Sequence, residues 1–175
     1  FDGLSNIPLS ENSETKPVNE YGSSKLKGEI ACLKNDPNSI VIRTSWLYSS
    51  FGKNFVKTMI DLMKQNNSVK VVNDQIGSPT YAHDLAKVII EIIVNYKTES
   101  GLFHYSNEGE ISWFEFARSI RELYKLDCEI IGVPSDEFIT IAKRPKYSLL
   151  DKTKIKKTFN LEIPNYKKSL KNCIK

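Results

Sequence analysis

The chain has 175 residues, 40% of them hydrophobic and 26% charged, enough for one buried core or for one domain with part of another; such a composition excludes a disordered chain. Its net charge of +4 is spread along the sequence, and the densest basic stretch, Lys152, Lys154, Lys156 and Lys157, carries no interleaved aromatics. A solvated helix face is expected there, and no nucleic-acid partner. Cys32, Cys128 and Cys173 have neither paired nor metal-ligand spacing, Phe1-Asp2-Gly3 lacks the pattern of a secretory signal, and the longest apolar stretch, residues 88–94, is interrupted by Glu91. A cytoplasmic protein with no bound metal and no membrane span is expected.

Residues 1–18, with Gly3, Pro8, Pro17 and several Ser, Asn and Glu, describe an exposed loop. The three-and-four spacing of Leu26, Ile30 and Leu33 predicts a helix over 19–33. Ile40, Val41 and Ile42 then predict a strand over 39–44, buried on both faces as in a parallel sheet. Phe55, Met59, Leu62 and Met63 mark a helix over 54–65, and residues 69–72 a short strand. The clearest periodic signal is the stripe Leu85, Val88, Ile89, Ile92 and Ile93, a helix over 82–95 that reads as core packing. A strand over 101–106 follows. Ser112 and Glu115 form a capping box, which starts a helix continued by Phe116, Ala117, Ile120 and Leu123 or Tyr124. Residues 129–133 are a further strand, and Asp151 is placed to cap a last pair of short helices. The alternation indicates an α/β protein with no internal repeat.

Tyr21 and Lys25 stand four apart near the start of the first helix, so both project from one face. A phenol, titrating near about 10, is a poor proton shuttle at neutral pH, and a neighbouring ammonium favours its ionised form. Lys25 is thus placed to tune Tyr21 as a general acid. With 8 tyrosines and so many lysines, about one such pair arises by chance, so the pair alone decides nothing. Its context does more. Tyr21-Gly22-Ser23-Ser24-Lys25 is followed by Arg43-Thr44-Ser45-Trp46-Leu47-Tyr48, Gly52-Lys53-Asn54-Phe55-Val56 and Asp74-Gln75-Ile76-Gly77-Ser78-Pro79-Thr80. Gly101-Leu102-Phe103-His104-Tyr105, Ser112-Trp113-Phe114-Glu115-Phe116-Ala117 and Arg144-Pro145 complete the series.

This ordered set resembles the extended short-chain dehydrogenase/reductases, and within them the dTDP-4-dehydrorhamnose reductases, over essentially the whole chain. The resemblance implies the C-terminal part of a Rossmann-like fold plus a smaller α/β substrate-binding domain. Residues 1–50 would be the remnant of the NAD(P)-binding domain and 51–175 mainly the nucleotide-sugar region, with a Rossmann strand near 101–106. It also implies hydride delivery from NADPH, or NADH, to C4 of a dTDP-4-keto-6-deoxy sugar while Tyr21 protonates the carbonyl oxygen.

By the same resemblance Tyr21, Lys25, Thr44 and Ser45 meet the cofactor, with Lys25 on the nicotinamide ribose. Trp46, Asn54, Gln75 and Arg144 meet the dTDP-sugar, and a homodimer is admitted. The glycine-rich phosphate loop and the Ser or Thr that completes the catalytic trio would precede Phe1, so this chain alone is expected to be inactive. Plainer roles stand beside these: Trp46 reads equally as core, Asn54 equally as a helix cap, Trp113 and Phe116 as core, and His83 and His104 as structural or surface groups. Two rival functions remain: another nucleotide-sugar epimerase or dehydratase, and a non-catalytic regulatory protein on the same scaffold, similar to the beta subunit of methionine adenosyltransferase.

Overall fold

A computed structural model describes residues 1–137 and 144–173. The elements run α1 (Glu20–Asn35), β1 (Ile40–Arg43), β2 (Leu47–Tyr48), α2 (Phe55–Gln65), β3 (Ser68–Val72), β4 (Ile76–Gly77), β5 (Thr80–Tyr81), α3 (Ala82–Asn95), β6 (Gly101–His104), β7 (Ile111–Ser112), α4 (Trp113–Tyr124), β8 (Glu129–Val133), α5 (Thr153–Thr158) and α6 (Tyr166–Cys173). The strands pair two by two. β1–β6, β2–β5 and β3–β8 are parallel, and β4–β7 is antiparallel. Parallel partners so far apart in sequence need helical crossovers, which makes this the expected α/β class. No helix among the described residues is long and apolar enough to cross a membrane.

Local signals explain many boundaries. The capping box is formed: the Ser112 hydroxyl accepts from the Glu115 N–H at 3.1 Å, and the Glu115 carboxylate accepts from the Ser112 N–H at 2.7 Å. Helix α3 and strand β8 have the expected limits. Asp151 accepts from the Thr153 N–H at 2.8 Å and so turns the chain into α5.

Two apolar clusters form. In one, Val56, Met59, Phe116, Ile120 and Leu170 bring α2, α4 and α6 together over β3; in the other, Val88 and Ile92 of α3 meet Phe103, Ile155 and Phe159. The stripe of α3 is nonetheless only half used. Val88 and Ile92 are buried, whereas Ile89 and Ile93 are exposed, Ile93 at 66%. Among the described residues β1 and β6 form a sheet of two strands about 5 Å apart, and a helix about 10 Å across with its side chains overhangs it. In this chain β1 is half-buried along its length instead of sealed on both faces, and Ile30 of α1 is exposed. The N-terminal segment, expected as an exposed loop, is anchored at Leu9, whose N–H donates to the Leu149 carbonyl and whose carbonyl accepts from the Asp151 N–H, both at 2.8 Å.

Two buried polar junctions tie the elements. Asn107 is fully buried. Its amide oxygen accepts from the Tyr81 N–H at 2.7 Å, and its amide nitrogen donates to Asp84 at 2.8 Å and to Ser169 at 3.0 Å. One side chain thereby joins β5, α3 and α6. At the second junction Glu29 of α1 clasps the guanidinium of Arg43 in β1 through two bonds of 2.6 and 2.7 Å. Arg43 also reaches the fully buried His104, 3.2 Å from Nε2, while Nδ1 lies 3.0 Å from the Leu9 carbonyl. A guanidinium only donates and a carbonyl only accepts, so His104 is neutral, protonated at Nδ1. Burial lowers its pKa, Glu11 opposes that, and Arg43 lowers it further.

Replacing Asn107 with Leu strands the buried Tyr81 N–H, at a cost of about 1–3 kcal/mol, and takes from the Asp84 carboxylate one donor while the Ser169 hydroxyl remains. Chemical denaturation should therefore show a loss of about 2 kcal/mol or more. For His104, a folded-state pKa below the usual value of about 6.5 contributes stability that is complete above that value and lost as pH falls through it. Thermal melts from pH 7.5 to 5 should decline in the wild type. They should decline less in His104→Gln, which keeps a donor and an acceptor but takes up no proton; equal slopes would refute the assignment.

Candidate active site

Tyr21 and Lys25 lie in the first two turns of α1, where Asn19 caps the helix by accepting from the Gly22 N–H at 2.8 Å. The Lys25 ammonium sits 5.7 Å from the centre of the Tyr21 ring. Tyr21 is 71% exposed and packs into neither apolar cluster. Both residues line a cleft of about 950 Å³ whose far wall is β1 with the following Thr44 and Ser45, and to which Phe1, Pro145 and Ser148 also contribute. That volume suits a small-molecule ligand. Four of the residues expected at the cofactor thus face one space, although 18 or more positions separate the two pairs in sequence.

The end of β1 is held from beneath. The Thr44 hydroxyl donates to Thr80 at 3.0 Å, the Ser45 hydroxyl donates to the Ser78 carbonyl at 2.8 Å, and the Trp46 carbonyl accepts from the Thr80 N–H at 3.2 Å. Between these bonds Trp46 takes a left-handed backbone, φ +47°. For a bulky non-glycine residue such a conformation costs about 1–3 kcal/mol and persists only where the surroundings enforce it. Its indole stacks on Trp113, centres 3.7 Å apart and planes at 14°, and Trp113 in turn meets Phe55 at 4.5 Å.

The remaining expected ligands are more dispersed. Asn54 is the cap of α2: its oxygen accepts from the Lys57 N–H at 3.2 Å and its nitrogen donates to the Ser49 carbonyl at 2.8 Å. Gln75 is buried and donates to Ser135 at 3.0 Å. Beside it, burial pushes the Asp74 carboxyl up, but the Ser135 hydroxyl and Lys146 outweigh that and hold it below the usual carboxylate range. Arg144 is exposed and adjoins Pro145. None of Trp46, Asn54, Gln75 and Arg144 lines the cleft itself, although Trp46 directly follows the wall residue Ser45.

Sequence reasoning missed two participants. Gly77 lies so close to Trp46 that an added Cβ would stand 2.9 Å from two indole atoms and 2.8 Å from the Ser148 hydroxyl. A glycine inside a strand is the known sign of such an approach, so the signal was present. Trp113, read as core, is only half-buried, and nothing in its spacing reports the stack on Trp46.

Known proteins resemble this chain closely. The dTDP-4-dehydrorhamnose reductase of Sinorhizobium fredii is 37% identical over 99% of the chain and 62% of its own length. The crystal structure of a dTDP-4-dehydrorhamnose reductase from Clostridium acetobutylicum superposes with a TM-score of 0.95 at 40% identity, covering 99% of this chain and 61% of that one. A dTDP-4-dehydrorhamnose reductase from Bacillus anthracis in complex with NADP gives 0.93 at 37%, again over 99% and 61%. The chain therefore spans somewhat under two thirds of the length of these relatives. Residues 1–175 match the family model of the RmlD substrate binding domain, and the chain belongs to that family.

Proposed function

We propose that this chain is the C-terminal part of a longer reductase, carrying the Tyr/Lys pair and the nucleotide-sugar half of the site, and that the whole protein converts dTDP-4-dehydro-L-rhamnose to dTDP-L-rhamnose with NADPH. The observation that carries the reading is the convergence of Tyr21, Lys25, Thr44 and Ser45 on one cleft. In this reading residues 1–50 and the strand at 101–106 belong to the cofactor half of the protein, and 51–175 mainly to the sugar half. NADPH is preferred to NADH because the Bacillus anthracis relative is bound to NADP. The protein is read as cytoplasmic, in keeping with three unpaired cysteines.

The donor set suits the ribose and carboxamide of a nicotinamide. Lys25 offers an ammonium, and the hydroxyls of Thr44 and Ser45, whose hydrogens are already committed to Thr80 and Ser78, offer lone pairs that accept from an amide nitrogen. When bound, the cofactor supplies the hydride. Tyr21 gives a proton to the oxygen of the sugar ketone, and Lys25 stabilises the charge that the phenol oxygen then carries. Trp46, Asn54, Gln75 and Arg144 are assigned to the sugar nucleotide. Arg144 suits the diphosphate, which a guanidinium can engage through two parallel bonds.

In the full-length protein Tyr21→Phe should lower kcat by about 10²-fold or more, the scale of general acid catalysis, without a shift in melting temperature because the substitution keeps the ring. Unchanged turnover would remove Tyr21 from the mechanism. One NADPH should be consumed per sugar reduced; sugar conversion without loss of NADPH would mark an epimerase or dehydratase instead. The 175-residue chain on its own contains no two glycines spaced two apart, and so no dinucleotide loop of the Gly-x-Gly kind. Calorimetry should find weak binding of dTDP-rhamnose, negligible binding of NADPH and no turnover; micromolar NADPH binding would show the cofactor site to be misplaced.

A further inference from the structure

Three separate segments meet around the indole of Trp46. The first carries Trp46 itself, in its left-handed backbone. The second is β4, where Gly77 lies against the indole edge so closely that no larger residue fits without displacement. The third is the start of α4, where Trp113 covers one indole face at 3.7 Å. The second and third segments are locked to each other. In the antiparallel pair β4–β7, Ile76 stands opposite Ser112 and Gly77 opposite Ile111, and the capping box fixes the helix that begins with Trp113.

Core packing alone does not account for this arrangement. Both indoles also pack against the larger apolar cluster, but filling that space does not by itself call for a strained backbone at Trp46. Strain at a bulky residue persists where a side chain must be aimed, and it clusters at ligand sites. Trp46 is only half-buried, and it directly follows Ser45, a wall residue of the cleft. Trp113 is itself braced by Phe55, ring centres 4.5 Å apart.

We propose that Trp113 is a positioning residue for the sugar nucleotide: it clamps Trp46, which directly follows the cleft-wall residue Ser45, and Gly77, beside the cleft-wall residue Ser148, provides the slot in which the clamped indole fits. The inference rests on the reading of this cleft as a dTDP-sugar site. It assigns Trp113 no contact with the ligand. Its effect is to pre-pay the ordering of the Trp46 side chain, which a ligand would otherwise have to impose on binding.

The test is calorimetric titration of the full-length protein with dTDP-rhamnose, together with steady-state kinetics and melting curves, for Trp113→Ala, Trp113→Phe and Gly77→Ala. A lost aromatic pair should weaken dTDP-rhamnose binding in Trp113→Ala by about 5- to 10-fold. The KM for the sugar should rise in parallel, while kcat and the KM for NADPH stay within about twofold. Trp113→Phe, which restores an aromatic face, should recover most of the affinity. Gly77→Ala should reproduce the loss without altering Trp113, since the Ser148 hydroxyl can rotate away from the new methyl and the clamped indole cannot; it also carries the test if Trp113→Ala does not fold. Variants with wild-type affinity, including one that only melts earlier, would return Trp113 to a core role and overturn the proposal. A wild-type protein that fails to bind dTDP-rhamnose would instead sink the reading of the site.

Discussion

Ser78, Pro79 and Thr80 are sealed from solvent, and a buried stretch of backbone must find a partner for each of its polar groups. The partners come from two directions. Thr44, Ser45 and Trp46 supply one set, and Asn107 supplies the other, its carbonyl accepting from the Ser78 hydroxyl and its amide from the Tyr81 N–H. Satisfying that stretch draws the end of β1 onto β5 and ties both to the chain after β6. The wall of the cleft is a by-product of this requirement. The opposite wall depends on a separate clasp, Glu29 on Arg43, which holds the Tyr21 helix to the same strand.

The two clasps differ in kind. The Ser78–Thr80 contacts are between neutral groups and fix geometry through directionality. The Glu29–Arg43 pair is charged, mostly buried, and completed by a neutral histidine that accepts from the guanidinium. Removing one member of such a group leaves an uncompensated charge, which is why its parts act together and not as a sum.

Local signals were legible in the sequence wherever one element decides its own form. The capping box of Ser112 and Glu115, the limits of α3 and β8, and the four-residue spacing of Tyr21 and Lys25 all depend on neighbours along the chain, and they were read correctly. What failed depended on width and on distant partners. The stripe of α3 carries the right period, but periodicity reports which residues share a face and not how much sheet lies beneath it. Asn54 carries the cap that its position before Phe55 allowed, with bonds to Lys57 and Ser49. The indole stack joins residues 67 positions apart by number, 46 and 113, and no short-range pattern encodes that. Ordered motifs did reach the family, because each of them marks a different piece of the same cleft or of its support.

The overhang of α3 has a practical side. Ile89, Ile90, Ile93 and Val94 are exposed on the helix that covers β1 and β6, and among the described residues β1 is hydrogen-bonded along one edge only. An open strand edge beside an uncovered aliphatic patch is the combination that natural proteins hide, because it invites pairing between identical molecules. In concentrated solution the isolated chain should be sticky, and its yield and shelf life would depend on how that patch is shielded. Polar replacements at Ile90 and Val94, which belong to neither apolar cluster, are the natural place to begin improving its solubility.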